Sequence, residues 1–404
     1  MQNTVGGNNQ NIEVKNMDIS NKLIKWGAYS SRIIAGLTFT FSGFVKAVDP
    51  LGSTYKFIDY FNAFHMPWLC NFAFPLAILL ASLEFLIGIS LLTFIQHRLA
   101  NWGAMLFMLI FTPLTLWLAI SNPVHDCGCF GDALVLTNWQ TFFKNVILIT
   151  LVSFSFLFRD KIKIWLKPKM EWTASIAVVI TISSFSIYNY QHLPIMDFRP
   201  YKIGTNIPKS MEFPEGAPSD IYEQYYTIKD TLSGKEISIE SSVYAKDSTY
   251  WYSGSKWKFI SASELKLVKK GYEIPITDFM ILSKDDTDIK EEVLSDQGYY
   301  FLIVAYDLHQ TKTKNMQNIN RFYDNVQKDN QKLIGLSSAF TDEMETFKSK
   351  WNIKYDFCFV DQIPLKTIVR ANPGLVLLHK GTILAKWNCN DLPDYQWVKE
   401  KYFN

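Results

Sequence analysis

The chain has 404 residues, 48% of them hydrophobic and 15% aromatic, and its 40 Lys/Arg against 38 Asp/Glu leave a formal net charge of +2. That balance offers no bulk charge for a polyelectrolyte, so nucleic acid is not an expected partner. Five cysteines are too few, and odd in number, for a disulfide framework, and each is judged by its position.

Apolar residues concentrate before residue 190. Residues 1–21 are polar and lack the arrangement of a cleaved signal peptide, which predicts a flexible cytoplasmic tail and an uncleaved signal anchor behind it. Five spans follow: 26–48, 72–95, 102–120, 139–158 and 172–190. Each is long enough at about 1.5 Å per residue to cross a hydrocarbon core of about 30 Å. Trp26, Trp102, Trp139 and Trp172 stand at span ends, where interfacial anchors belong. The loop 159–171, "RDKIKIWLKPKME", carries five Lys/Arg and the loop 121–138 none, so the positive-inside rule makes the first cytoplasmic and the second external. Lys22, Lys25, His97 and Arg98 agree with this orientation, whereas Lys46 and Lys56 run against it. The expected setting is a bacterial inner membrane contacting lipid, with a cytoplasmic N-terminus and everything after residue 190 in the periplasm.

The external loop reads "SNPVHDCGCFGDALVL". Cys127 and Cys129 are one residue apart and would close only a small strained ring, the kind of disulfide that oxidises others readily. His125 would favour a thiolate, Asp126 and Asp132 would oppose it, and Gly128 and Gly131 supply bends. Cys70 falls at the same membrane face, so exchange among Cys70, Cys127 and Cys129 is allowed. Redox chemistry, an inert turn and a metal site are the three readings, the last a ligand short for zinc. Glu84 stands in mid-span, where an unpaired charge is expensive. Arg32 is long enough to approach it, either as a structural pair or as part of a proton or quinone site. Lys144 and Asn145 face the cysteine loop or a lipid headgroup.

These pieces together resemble the DoxX/MauE family of redox-associated membrane proteins: "RIIAGLTFTFSGFVKAVDPLGSTYKFIDYFNAF" (32–64), Glu84 with Gly88, and "CGCFGD" followed by "FFKN" (127–145). The resemblance covers roughly residues 30–160 and implies a four-helix membrane unit associated with thiol or quinone chemistry. The fifth span and the long external part look like a Bacteroidota-type variant of that family.

A Pro-rich connector opens residues 191–298, with short strands around "YYTIKD" and "KEISIE" and an aromatic "STYWYSGSKWKFIS" that reads as a strand pair or an exposed binding patch, core or ordinary sheet packing being favoured. From 299 the order is strand, helix, strand, helix, strand, and then a hairpin turning at "KG". This order resembles thioredoxin, with Pro373 in "ANPGL" at the place of that fold's cis-proline. No cysteine follows the first strand, which reads into "DLHQTKTKN", so the dithiol of that fold is missing. The edge beside Asn372 and Pro373 remains a candidate partner-binding groove.

The expected fold is therefore an α-helical membrane bundle, a four-helix unit plus a fifth transmembrane helix, followed by a soluble α/β thioredoxin-like domain. The expected segments are a tail (1–21), the membrane unit (22–160), a basic loop with the fifth helix (161–190), a linker with a small β-containing region (191–298) and the α/β domain (299–404). Two functions fit. In the first, Cys127 and Cys129, with Cys70 and His125, exchange electrons with a periplasmic partner, and a quinone near Glu84 and Arg32 joins them to the membrane pool. In the second, the protein is a non-enzymatic envelope component that binds a periplasmic protein through the α/β domain, since a fold kept without its catalytic pair is most simply a binding module.

Overall fold

The computed structural model describes residues 6–124, 126–161, 167–277 and 279–403, with side chains described from Lys22 onward except that of Lys161. Helix α1 (Gly6–Val48) is 43 residues long and starts well before the first expected span. From Asn8 to Lys46 no proline interrupts it, so residues expected as a flexible tail continue the helix. Asp49 then caps α2 (Pro50–Ala63): its carboxylate accepts the Gly52 N–H at 2.9 Å, and Pro50 sits where no N–H is needed. Next come α3 (Ala73–Thr93), α4 (His97–Ser121), α5 (Asn138–Leu157) and α6 (Pro168–Gln191). Helix α5 opens with a reciprocal capping box between Thr137 and Gln140.

Among the described residues four segments are long and apolar enough to cross a membrane: Pro67–Thr93, His97–Ser121, Asn138–Leu157 and Pro168–Gln191. The first expected span, within α1, is not among them; it carries Arg32 and Lys46, both buried inside the bundle. Outward-facing Leu106, Ile110 and Ile147 are more than half exposed and are the surface offered to lipid.

Helices α1 and α3 approach backbone to backbone. A Cβ on Gly43 would lie 2.7 Å from the Ala81 carbonyl oxygen, and one on Gly88 would lie 2.8 Å from the Thr40 Cα. Glycine is required at both positions because no side chain fits. These contacts fix an antiparallel register in which residue 43 lies level with 85 and residue 40 with 88. Ala35, Phe39, Leu91, Ala104, Met108 and Leu148 pack along this seam.

The C-terminal region is mixed α/β. After α7 (Ile207–Met211) come β1 (Ile221–Glu223), β2 (Tyr225–Asp230), β3 (Glu236–Glu240), α8 (Ser241–Lys246), β4 (Trp257–Ala262) and β5 (Lys266–Lys269). Residues Asn206–Phe279 form a compact unit of their own, with antiparallel sheets of order β3-β2-β4 and β1-β5. Its aromatic stretch supplies one strand, β4, instead of a pair: Trp251 and Tyr252 lie in a turn before it and are half exposed.

The remaining elements are α9 (Lys290–Ser295), β6 (Tyr299–Val304), α10 (Met316–Lys328), β7 (Lys332–Ser337), α11 (Thr341–Trp351), β8 (Phe357–Phe359), α12 (Gln362–Ile368), β9 (Gly374–His379), β10 (Thr382–Asn388) and α13 (Tyr395–Tyr402). The sheet runs β10-β9-β6-β7-β8, with β6, β7 and β8 parallel and β9 and β10 antiparallel to their neighbours. Strand β6 is buried on both faces, as its unbroken apolar run requires. Lys380 and Gly381, both at positive φ, turn β9 into β10. The Asn372–Pro373 peptide is cis and leads into β9. This α/β region packs with the helices in one compact unit, residues 1–205 and 280–404.

Candidate functional site

The site is built on the loop between α4 and α5. Asn138 closes the loop's base, donating to Asn122 Oδ1 and to the Val124 carbonyl, both at 2.9 Å. Gly128 and Gly131 take positive φ, and a Cβ on Gly128 would also meet the Lys56 side chain at 2.9 Å. Three side chains from two helices then pin the loop. Tyr60 of α2 donates to the Cys127 carbonyl at 2.6 Å, Ser42 of α1 to the Cys129 carbonyl at 2.8 Å, and Lys56 of α2 pairs with Asp126 at 2.8 Å.

So held, the sulfurs of Cys127 and Cys129 lie 3.0 Å apart as free thiols. That is closer than ordinary contact between unbonded sulfurs and close enough to share a proton. The two thiols consequently split. Cys129 is brought down to about 6, first by the hydrogen bond from Cys127 and then by the Lys144 and Lys46 charges, against burial and Glu84. Cys127 is pushed up, first by the same hydrogen bond and then by burial. Of the two, Cys129 therefore gives up its proton the more readily and Cys127 keeps its own.

Beneath the loop lies Lys46, whose ammonium donates to Ser42 Oγ at 2.7 Å and to the Cys129 carbonyl at 2.5 Å and pairs with Glu84 at 2.8 Å. The sequence expected Arg32 to approach Glu84. The helix register decides otherwise: Arg32 comes level with the end of α3, bonding the Leu91 and Ser90 carbonyls and stacking on Phe94 at 3.9 Å. In the sequence Lys46 counts only as a charge against an external first loop; its spacing of one turn from Ser42 inside an apolar run is the signal that marks it.

A cavity of about 250 Å³ joins these groups. Ser42, Lys46, Glu84, Cys127 and Cys129 line one side, and the rest of the wall is mainly apolar, with Phe39, Phe107, Phe111 and Leu148. Lys144 and Asn145 also line it: Lys144 lies 4.4 Å from the Phe130 ring, and Asn145 donates to Thr115 at 3.1 Å. Both belong to the cysteine side of the bundle.

Cys70 is not brought to the pair. It lies in the short helix Pro67–Phe72, its sulfur 3.8 Å from Asn62 Oδ1, and lines a different cavity with Tyr55, Tyr306 and Asn372. His125 lies outside the described residues. Cys358 and Cys389 are buried and their thiols are pushed up by burial, Cys358 to about 11. Among the described residues no group of three or more His, Cys, Asp or Glu could hold a metal ion.

The edge at Asn372 faces the chain's own helices across the cavity that Cys70, Tyr55 and Tyr306 also line. Asn372 spends its side chain internally, donating to the Asp307 carbonyl at 2.7 Å and accepting from Thr311 at 3.0 Å. Its neighbour Arg370 is buried and reaches the membrane helices, 2.8 Å from Asp49 and 3.0 Å from Asp132 of the cysteine loop. Tyr306 meets Tyr55 of α2, hydroxyl to hydroxyl, at 3.0 Å. The partner surface expected for another protein is covered by the chain's own helices, because Arg370 is drawn to two carboxylates there. Sequence reading missed this cluster, since nothing local links residues 49, 132 and 370.

In comparison with known proteins, residues 24–158 match the family described as methylamine utilisation protein MauE. No curated protein and no solved structure gave a match.

Proposed function

Residues 24–158 are a MauE-type domain of a multi-pass membrane protein, and from that premise we propose that Cys127 and Cys129 are a redox dithiol exchanging two electrons with a lipophilic quinone in the adjoining cavity. The single observation that carries this is the sulfur pair, 3.0 Å apart, forming part of the wall of a mainly apolar cavity that also holds a buried Lys46–Glu84 pair. The wall fits a quinone: aromatic and aliphatic side chains suit its ring and tail, while the Lys144 ammonium is a donor suited to a carbonyl oxygen.

In the step written in full, Cys127 and Cys129 lose two protons and two electrons and form one S–S bond. The quinone gains both electrons and both protons and leaves as quinol. Cys129 supplies the thiolate, and Cys127 gives up the proton it shares. The donor that reduces the disulfide again is a protein dithiol on the side of the membrane to which the loop is exposed, read as the periplasm of an inner-membrane protein. The α/β region reads as a thioredoxin-like domain without its dithiol, docked over the loop as a cover and not as a second redox centre.

The test is reduction of decylubiquinone by pre-reduced full-length protein in nanodiscs, with trapped thiols read by alkylation and gel shift. One disulfide should appear per quinol formed, and Cys127→Ser with Cys129→Ser should abolish both. Quinone consumption that persists in the double variant, or thiols that stay reduced, would sink the reading.

A further inference from the structure

We infer that the Lys46–Glu84 pair is the proton carrier between the dithiol and the cavity, an inference that rests on the thiol–quinone reading. Making the S–S bond frees two protons in a mainly apolar chamber, where a proton left without an acceptor is as costly as any bare charge. Glu84 is the one carboxylate on the described wall, and a carboxylate is a general base that can take up and return a proton. The other ionisable groups are otherwise engaged: Lys56 is held by Asp126, Tyr60 by the Cys127 carbonyl, and Lys144 lies over Phe130.

Lys46 completes the connection. Its three acceptors, Glu84, Ser42 and the Cys129 carbonyl, match the three hydrogens of an ammonium, so the pair is tied to the loop whose sulfur it serves. In sequence, Cys129 passes its proton to Glu84 and is left as a thiolate beside Lys46. Cys129 and Cys127 then join, releasing two electrons and the proton of Cys127. Glu84 releases the proton it stored, and both protons and both electrons go to the quinone. Atoms and charge balance with no further reactant, and Lys46 keeps its charge throughout.

Two measurements on full-length protein in nanodiscs test this. In the first, decylubiquinone reduction is followed against pH. Glu84→Gln should slow it at least tenfold and flatten its pH dependence, and Glu84→Asp should restore part of both. The double variant Lys46→Met with Glu84→Gln leaves no orphan charge to unfold the bundle and should be as slow as Glu84→Gln alone. In the second, thiolate absorbance is titrated: the charges facing Cys129 are those of Lys46, Lys144, Glu84 and the Lys56–Asp126 pair, and Lys46→Met should move its midpoint up by at least one pH unit. Wild-type rate and pH dependence in both Gln-bearing variants overturns the inference while leaving the dithiol reading intact. Wild-type protein that reduces no quinone overturns the parent reading; the titration then still decides the role of Lys46, an unmoved midpoint overturning that too.

Discussion

At the scale of single residues, two sulfurs one residue apart are made unequal by what surrounds them. The hydrogen bond between them stabilises one charge and opposes a second, and the charges of Lys144 and Lys46 add to it in favouring Cys129. With its thiol at about 6, Cys129 should react with iodoacetamide at pH 7 almost at its full rate, losing reactivity as pH falls through 6. Cys127→Ser leaves only a hydroxyl donor and should move that midpoint upward, as rates of alkylation measured from pH 5 to 9 would show; an unchanged midpoint would mean that the neighbouring sulfur does not matter. The sequence made the CGC pair visible, because Gly128 and the flanking turn residues mark the loop. It could not rank the two sulfurs, since the deciding charges come from residues 46 and 144.

At the scale of elements, the α1–α3 seam sets the site. Gly43 and Gly88 let the backbones touch, and the register they fix puts Lys46 near Glu84 and Arg32 at the far end of α3. Gly88→Ala should cost at least about 1–3 kcal/mol, because its Cβ would lie against Thr40 backbone that cannot move aside cheaply. Thermal unfolding in detergent would show the loss, and slowed quinone reduction should accompany it as Lys46 and Glu84 are pushed out of register. Apolar runs located these helices in the sequence and gave the ends of α3 and the C-terminal end of α1 to within a few residues, but not the start of α1, which lies 20 residues before the expected span. The pairing partner of Glu84 was not legible, because a one-turn offset between helices leaves each helix's own pattern unchanged.

At the scale of the whole molecule, the α/β region is fastened to the membrane helices through Arg370. Burial pushes the Asp49 carboxyl up, but Arg370, Arg199 and the Gly52 N–H together hold it below its ordinary value. Asp132 goes the other way, raised by burial and by the charge of Asp49, so Asp49 is the stronger anchor. A carboxylate depressed in the folded state contributes stability in full above its unfolded pKa of about 3.9, and loses it as pH falls through the lower folded value. Docking should therefore hold across neutral pH and weaken only in acid below about 4. Arg370→Ala leaves Asp49 buried without its partner and should cost about 3 kcal/mol. Faster hydrogen exchange at the 366–373 turn and faster labelling of Cys127 and Cys129 by a bulky maleimide should follow; unchanged labelling would show that the α/β region does not cover the loop.

By itself, the sequence determined the division into apolar helices and a mixed α/β part, the position of the cysteine loop and the absence of a CxxC motif after the first strand of the sheet. Each of these is written in contiguous residues, through hydropathy, turn chemistry and spacing. Tertiary structure alone decided that Lys46 is the partner of Glu84, that Cys70 stands apart from Cys127 and Cys129, and that the Asn372–Pro373 edge faces the chain's own helices. The physical reason is common to all three: helix register and ionic docking join residues tens to hundreds of positions apart, and no local pattern records which of several charged groups will meet.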